Sequence, residues 1–506
     1  MMEQSNDIGE ASSSSNKKQK VSGIEQEDRI SSLPDSIVAY ILSFLPTEIA
    51  AKTVLVRRFG HLWTSIHNLD FNVRLYDNLA FTHPNDKWFL NFMDHILLLH
   101  EYPTILKFGL KFESASYDKP YMIRHHDSLS PRMTDKIDLW IRFAVRKKVK
   151  VLELDILDRG LYGPLFNYDL PNFVFMSDYL TELKLVSCGL KPKGQIHLSS
   201  LKTLSLWTIV LNDNMIEEIL SGCPSLENLT MIRCYGLRKL NLTSTSLKIL
   251  VVTHGEAETS RLEISCPNLR SLNISGSIGH VDLKNASSLV EATLEFYYGG
   301  RYSNDEYLKV GMLFEELSCA KFLTICNWCI LVLTIWELTN RTCPSFNSKC
   351  VVLKTKLTKW HLPGIASLLR NSPSLKMLTL YIEPGSSLLT PDDEMWLKAL
   401  GIHGNNCWDD EMWLRSYDFD GENYWNSQPH FPCLTNHLKT VRIYGCIENS
   451  YLIQLLKFLL VSSSVLEKVV ISTKKNAFPH QLNQSSLQKL LELSQKLFFC
   501  PKASNV

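Results

Sequence analysis

The hexapeptide Leu180-Thr-Glu-Leu-Lys-Leu185 returns in altered form as Leu201-Lys-Thr-Leu-Ser-Leu206, Leu226-Glu-Asn-Leu-Thr-Met231 and Leu247-Lys-Ile-Leu-Val-Val252. Between residues 180 and 289 the first leucines of successive copies are 21, 25, 21, 22 and 20 residues apart. Further copies lie at 149–154, 269–274, 289–294, 375–380, 438–443 and 466–471. Such a period indicates a solenoid, in which each unit adds one strand to a parallel sheet and buries its leucines against its neighbours.

The segments between the copies predict the other side of the solenoid. Met215, Ile216, Ile219 and Leu220 recur at helical spacing within residues 213–220. The predicted helices end at Gly222-Cys223-Pro224, Ser265-Cys266-Pro267 and Asn371-Ser372-Pro373. The cysteine at this place is interpreted as a small buried side chain. The predicted fold class is therefore α/β, with parallel strands on the concave face and helices on the outer face, as in a leucine-rich repeat.

Weaker segments mark the limits of the repeats. Residues 69–71 and 105–110 look like degenerate first repeats, with a helix predicted near 88–99 between them. Residues 321–324 and 350–353 are predicted to be two more strands within an irregular stretch. The solenoid is accordingly assigned to residues 69–385.

Residues 28–68 form a separate predicted module of three short helices. Pro34 and Pro46 bracket the first helix, because proline suits a first helical turn and cannot continue a helix. Thr47 is placed to cap the second helix. The apolar stripe of the third helix consists of Phe59, Leu62, Trp63 and Ile66. So small a module has a small core, so part of its apolar surface should contact a partner, unless these side chains only pack their own helices.

Three stretches of this module resemble a plant-type F-box. They read Ile30-Ser31-Ser32-Leu33-Pro34-Asp35, Ile41-Leu42-Ser43-Phe44-Leu45-Pro46-Thr47 and Leu62-Trp63. The resemblance implies a surface that docks on a Skp-family adaptor and, through it, on a cullin. The residues that it implies for forming or supporting this surface are Leu33, Pro34, Ile41, Leu42, Leu45, Pro46, Leu55, Val56 and Trp63. One departure is Phe59, which stands where the family usually has tryptophan.

The C-terminal region resembles the FBD region that follows F-box and leucine-rich repeats in plant proteins. Its recognisable parts are Pro432-Cys433-Leu434 and His437-Leu438-Lys439. Residues 429–480 are predicted to add two strands joined by a helix at 453–460, which would cap the open edge of the solenoid. Residues 481–506 are assigned to a C-terminal helix and tail. The resemblance to the plant-type F-box/FBD/leucine-rich-repeat family therefore spans nearly the whole chain.

Two segments fall outside this pattern. Residues 386–428 form an acidic, Trp-rich insertion in which Asp-Asp-Glu-Met-Trp-Leu occurs at 392–397 and again at 409–414. This insertion is predicted to lie on the surface. Residues 1–27 are polar and are predicted to be a disordered tail that carries a short lysine cluster, a candidate nuclear import signal.

The composition argues against several classes of function. Fifty-three basic and fifty-two acidic side chains give a formal charge of +1, so no excess of positive charge is available for nucleic acid. The longest apolar run, residues 322–336, is too short to cross a bilayer. All thirteen cysteines lie at or after Cys188 without a regular framework, which favours free thiols in the nucleus or cytoplasm.

The sequence contains no recognisable catalytic pattern. Cys326-Asn-Trp-Cys329 has no second cysteine pair or histidines at metal spacing, so it is interpreted as a core strand. We expect the protein not to be an enzyme, with no catalytic residue, no metal and no cofactor.

The predicted function is that of the substrate-recognition subunit of a Skp-cullin-F-box ubiquitin ligase. Such a chain holds an unknown protein substrate while a separate enzyme transfers ubiquitin. The candidate substrate contacts are strand residues that point away from the core, namely Lys184, Ser205, Thr230, Asn273 and Thr293. The alternative is a non-ligase leucine-rich-repeat scaffold, or a small-molecule-sensing interaction protein, with a decayed F-box. Neither nucleic acid nor a membrane is an expected partner.

Overall fold

The computed structural model describes residues 30, 32–56, 59–75, 84–114, 131–156, 168–253, 261–276, 280–296, 304–382, 419–445 and 449–472, and, closer to the C-terminus, 491, 492, 495, 497 and 503. The predicted tail at 1–27 and both copies of Asp-Asp-Glu-Met-Trp-Leu lie outside these residues. Within the described ranges, no helix has the length and apolar character needed to span a bilayer.

The repeats are carried by parallel strands. In the described residues these are β1 (Asn68–Leu75), β2 (Lys107–Ser114), β3 (Val151–Asp155), β4 (Glu182–Val186), β5 (Thr203–Trp207), β6 (Asn228–Ile232), β7 (Lys239–Thr243), β8 (Ile249–Thr253), β9 (Arg261–Ser265), β10 (Ser271–Gly276), β11 (His280–Lys284), β12 (Glu291–Phe296), β13 (Phe322–Ile325), β14 (Cys350–Thr355), β15 (Met377–Ile382), β16 (Thr440–Gly445) and β17 (Lys468–Ser472). The main sheet has fourteen of them, in the order β1-β2-β3-β4-β5-β6-β8-β10-β12-β13-β14-β15-β16-β17. Every predicted hexapeptide and all four weaker segments lie in this sheet, so these strand predictions are confirmed.

Alternation of buried and partly exposed residues within most strands builds the core. In β4, Leu183 and Leu185 are buried, whereas the residues on either side of them are partly exposed. Because side chains alternate between the two faces of a strand, the same two positions of each repeat point inward and stack on those of the next repeat. One continuous cluster of buried side chains therefore runs from Val38 in the N-terminal module through the strands to Leu497 near the C-terminus.

Helices connect many of the strands. The described α-helices are α1 (Asp35–Leu42), α2 (Thr47–Ala51), α3 (Pro84–Leu99), α4 (Pro131–Arg146), α5 (Asp213–Ser221), α6 (Asn304–Glu316), α7 (Asn327–Leu338), α8 (Leu362–Arg370), α9 (Pro432–Asn436) and α10 (Ser450–Ser462). The helices predicted at 88–99, 213–220 and 453–460 are confirmed as α3, α5 and α10. Asn212 caps α5, since its Oδ1 accepts a hydrogen bond of 2.8 Å from the N–H of Met215.

A second sheet occupies the outer side in the middle of the solenoid. Strands β7, β9 and β11 pair in the order β11-β9-β7, and α5 and α6 pack at its two edges. Leu240, Leu262 and Leu283 are buried within it. The connecting segments here alternate apolar with polar residues, and this period of two forms strands. The outer face therefore carries strands over residues 239–284, where helices are expected from the repeat pattern.

The N-terminal module consists of α1, α2 and two 3₁₀ turns, Lys52–Leu55 and Leu62–Ser65. The third predicted helix is thus a single 3₁₀ turn. Gly60 disfavours helix before this turn, and Ile66 leads almost directly into β1, which leaves no length for further turns.

Two side-chain hydrogen bonds fix this module to the first repeat. The N–H of His67 donates to Ser43 Oγ at 3.1 Å, and the N–H of Asp70 in β1 donates to Thr47 Oγ1 at 2.7 Å. Ser43 follows α1 and Thr47 begins α2, so both helices are held against the start of the sheet.

The apolar run 322–336 forms β13 and most of α7. Cys326 directly precedes α7 and Cys329 lies within it, so the prediction of a core strand at these cysteines is wrong about the element, although both side chains are buried. Residues 328–336 are all buried. A helix that is buried on every side has no polar face, and its sequence therefore lacks the helical period that would identify it.

Candidate interaction surfaces

The N-terminal module keeps large apolar side chains in contact with water. Leu55 is 85% exposed and Phe44 is 68% exposed, and Ile41, Leu45 and Val56 are each exposed by more than a third. Burying one such side chain is worth about 1.5–3 kcal/mol. A cluster of this kind marks a surface that binds another protein more often than one that stays bare.

The predicted adaptor contacts divide into two groups. Leu42 and Trp63 are buried and pack in the core of the module. Leu33 is partly buried against the same core. The exposed residues are Pro34, Ile41, Leu45, Pro46, Leu55 and Val56. Leu42 and Trp63 therefore lie beneath the apolar surface and support it.

Six exposed apolar residues of the module are not among the predicted contacts: Ile30, Ile37, Tyr40, Phe44, Ile49 and Val54. Tyr40 and Phe44 are one helical turn apart, and their rings meet edge to face with centroids 4.9 Å apart. Their spacing of four residues is the signal in the sequence that could have identified them. We define the apolar module surface as these six residues together with the six exposed predicted contacts.

The five predicted substrate contacts lie in one row across the main sheet. Lys184, Ser205 and Thr230 are in register on β4, β5 and β6, and Asn273 and Thr293 are in register on β10 and β12. Val251 of β8 stands between the two groups. All five side chains are half-buried and point to the concave face. The structure brings them together, but they share no common chemistry.

The first strands of the concave face carry interleaved charges. Lys107 on β2 pairs with Glu153 on β3 at 2.8 Å and with Asp70 on β1 at 3.5 Å. Partial burial lowers the pKa of Lys107, but the hydrogen bond and charge of Glu153 and the charge of Asp70 outweigh this effect and raise it. This end of the sheet is therefore internally neutralised.

A shallow groove of about 750 Å³ lies where β5, β6, β8, β10 and β12 begin. Glu227 lies in this groove between two lysines, with Lys248 at 2.7 Å and Lys202 at 3.8 Å. The hydrogen bond with Lys248 lowers the pKa of Glu227. Arg270 also lines the groove, so three cationic side chains face one carboxylate there.

Cys223 and Cys266 are both buried, as predicted. Burial raises the pKa of Cys223 to about 12 and also raises that of Cys266. Cys326 and Cys329 lie with their sulfurs 3.7 Å apart at the start of α7. Burial raises the pKa of Cys329 well above its usual value. A thiol in this state is a poor nucleophile.

Comparison with known proteins gives two family matches. A model described as "At1g61320/AtMIF1, LRR domain" matches residues 119–387, and the FBD model matches residues 427–471. The first of these covers more than half of the chain.

Three proteins of Arabidopsis thaliana are similar to most of the chain. The putative F-box protein At1g49610 is 32% identical over 71% of this chain and 85% of its own length. The putative F-box/LRR-repeat protein At3g18150 is 31% identical over 76% and 78%. The F-box/LRR-repeat protein At3g03360 is 29% identical over 76% and 77%.

Proposed function

The chain belongs to the F-box/LRR-repeat proteins with an FBD region, and on that premise we propose that it is the substrate-recognition subunit of a Skp-cullin-F-box ubiquitin ligase. In this role the N-terminal module docks on a Skp-family adaptor, and the repeats hold a protein substrate. The chain itself performs no chemistry, because a separate enzyme transfers ubiquitin.

The observation that carries this proposal is the apolar module surface. Its apolar side chains project from α1, α2 and the turn Lys52–Leu55, which together make up most of the module. Leu55 and Phe44 contribute little to the stability of the module while they are exposed to water. A partner that covers them would account for their presence.

The attachment of the module supports the same role. The hydrogen bonds of Ser43 and Thr47 to the segment that starts the sheet hold the module against the first repeat. A substrate on the concave face would then be held at a set distance from the adaptor. Such positioning supplies effective concentration, which is the contribution expected of a receptor.

Co-purification of the full chain with a Skp-family adaptor tests the proposal. We expect stable binding by the wild type and at least about a tenfold loss of affinity in a Leu45→Ala, Leu55→Ala variant, because centrally buried apolar anchors dominate most interfaces. The matched control is Leu98→Ala, Leu139→Ala, which removes two exposed leucines from α3 and α4, outside the module. The control variant should bind like the wild type.

A folded wild-type chain that does not bind the adaptor would reject this function and favour the scaffold with a decayed F-box. That alternative rests on Phe59, which departs from the F-box pattern. The Phe59 side chain is partly buried against the core. The ring therefore contributes to packing, as a tryptophan at this position would.

A further inference from the structure

Four adjacent strands near the C-terminal end of the main sheet are free of acidic residues. β13, β14, β15 and β16, with the single residue that precedes each of them, contain no aspartate or glutamate. They contain six cationic residues: Lys321, Lys349, Lys354, Lys376, Lys439 and Arg442. We call these six residues the basic strip. The whole chain has a formal charge of only +1, so this concentration of charge is local.

Four lysines of the basic strip stand side by side. The N–H of Lys349 donates to the carbonyl of Lys321 at 2.8 Å, that of Lys376 to Lys349 at 2.8 Å, and that of Lys439 to Lys376 at 3.0 Å. They therefore occupy the same position on successive strands, which are about 4.8 Å apart in a sheet. All four are exposed.

Most of this charge has no counterpart in the described structure. Lys354 pairs with Glu295 on β12, and Lys439 pairs with Glu467. Lys321, Lys349, Lys376 and Arg442 form no ion pair with a residue that the structure describes. This is the opposite of the first strands, where Lys107 is held between two carboxylates. The balance of charge along the main sheet thus differs between its first strands and β13 to β16.

Two stacked tyrosines lie beside Lys354, about 16 Å along the strands from the row of four lysines, and one exposed phenylalanine lies next to that row. Tyr381 on β15 and Tyr444 on β16 are in register with Lys354, and their rings stack with centroids 5.0 Å apart and planes 19° apart. Phe322 on β13 is 48% exposed and directly follows Lys321. Stacked rings beside cations can accept an aromatic or aliphatic side chain, with carboxylates placed on either side of it.

We propose that the basic strip binds an acidic segment of the substrate protein, in which carboxylates flank at least one aromatic or large apolar residue. This inference rests on the function proposed above and names the class of substrate. A protein segment fits better than nucleic acid, because the row of four lysines spans only about 15 Å and the rest of the chain adds almost no net positive charge.

The test measures binding of a fluorescent peptide of glutamates with one central phenylalanine to the full chain in complex with its adaptor. We expect measurable binding at low salt that weakens at about 0.3 M salt, as exposed charge pairs do. The variant Lys349→Glu, Lys376→Glu should lose at least about tenfold in affinity. The matched control, Lys150→Glu, Lys202→Glu, reverses two exposed lysines that precede β3 and, two strands further, β5, and should bind like the wild type.

A second variant tests the aromatic pair. Tyr381→Ala, Tyr444→Ala should weaken binding of the phenylalanine peptide by about fivefold and leave binding of an all-glutamate peptide unchanged. Equal losses in the Lys349/Lys376 variant and its control would overturn the inference, since any lysines would then serve. So would tighter binding of an RNA oligonucleotide of the same charge.

The inference and the proposed function fail in different ways. If the wild type retains the adaptor but does not bind the peptide, the basic strip has no such ligand and the receptor function stands. If the adaptor is not retained, the receptor function itself is rejected.

Discussion

His361 is a buried histidine held in its neutral form. Its Nδ1 accepts a hydrogen bond of 3.1 Å from the N–H of Thr358, which caps the turn before α8. Burial, and secondly the charge of Lys356, lower the pKa of His361 to about 3. In the unfolded chain the pKa returns to about 6.5. Acid therefore protonates this histidine first in the unfolded state.

The sign of the resulting pH dependence follows from this depressed pKa. The contribution of His361 to stability is fully present above pH 6.5 and is lost as the pH falls from 6.5 toward 3. We expect His361→Asn, whose side-chain oxygen can replace Nδ1 as the acceptor, to remove this dependence. Between pH 7 and 5 the wild type should lose about 2 kcal/mol more of its free energy of unfolding than the variant. Urea unfolding at both pH values measures the difference, and parallel losses would contradict the assignment.

Substitutions of Trp63 and Leu55 should distinguish the stability of the module from its binding to the adaptor. Trp63 is buried, so Trp63→Ala should cost about 3–5 kcal/mol in stability. Leu55 is almost fully exposed, so Leu55→Ala should change stability by less than about 0.5 kcal/mol while weakening adaptor binding. Thermal unfolding and adaptor co-purification of both variants check this pair. A large loss of stability in Leu55→Ala would place this side chain in the core.

At the scale of residues, the sequence predicts burial well where the repeat imposes it. Leu183 and Leu185 follow from the alternation of a strand whose two faces differ. The module is less predictable, because its helices are too short for a stripe to decide which side faces the core. Leu42 and Ile41 are adjacent in α1, yet one is buried and the other exposed, since the core that selects between them is shared with β1.

Helices α7 and α8 pack closely enough to exclude a methyl group. A Cβ on Gly364 would lie 2.2 Å from the carbonyl oxygen of Ile330. Thr334 joins the two helices at this place, since its Oγ1 donates to the carbonyl of Trp360 and accepts from the N–H of Gly364 at 2.9 Å. The glycine is therefore required by the contact and not by a special backbone conformation.

Gly364→Ala should destabilise the protein for this reason. Overpacking costs about 1–3 kcal/mol, and alanine recovers at most about 1 kcal/mol of helix propensity, so we expect a clear net loss in the free energy of unfolding. The control is Gly109→Ala, where the added Cβ would meet the carboxylate end of Asp70, which is half-exposed and can move. Equal changes in the thermal unfolding of both variants would show that the close contact of α7 with α8 does not cause the loss of stability.

At the scale of elements, the strands are predictable and several connections are not. The hexapeptide fixes a strand because its leucines must all reach one core. The connection after each strand is decided locally, as in β7, β9 and β11, whose short alternating segments leave helices only at the two edges of the second sheet. Helix α7 shows the other limit, since complete burial removes the pattern that would identify it.

The C-terminal elements protect the end of the solenoid. β16 pairs with the outer edge of β15, and α9 packs on α8, with Cys433 Sγ donating to the carbonyl of Leu369 at 3.1 Å. A chain that ends at Ile382 should therefore expose the part of the apolar core that β16, α9 and α10 cover. We expect it to aggregate in size-exclusion chromatography, whereas a chain that ends at Ser472 and keeps all the described strands should remain soluble. Identical elution of the two would show that the cap is dispensable.

For the whole molecule, the sequence predicts the architecture and the family, but it does not show which exposed residues group into each candidate surface. The predicted substrate contacts are the middle positions of successive strands, and the structure places them in one row with mixed chemistry. The basic strip depends on residues that are far apart in sequence, such as Lys376 and Lys439, and only the parallel pairing of β15 with β16 makes these two neighbours. The net charge of the whole chain, +1, does not reveal the basic strip.

The second sheet has a consequence for the path of the molecule. The axes of neighbouring helices are about 8–10 Å apart, whereas neighbouring strands are about 4.8 Å apart. A repeat with a helix on its outer side is therefore wider outside than inside, and a series of such repeats curves. Where β7, β9 and β11 form the outer side, both sides of the solenoid consist of strands with the same spacing. This section should therefore be straight. The solenoid would then have a straight section between two curved ones. In the proposed receptor role, the length of the straight section would decide which lysines of a bound protein come within reach of the transferring enzyme.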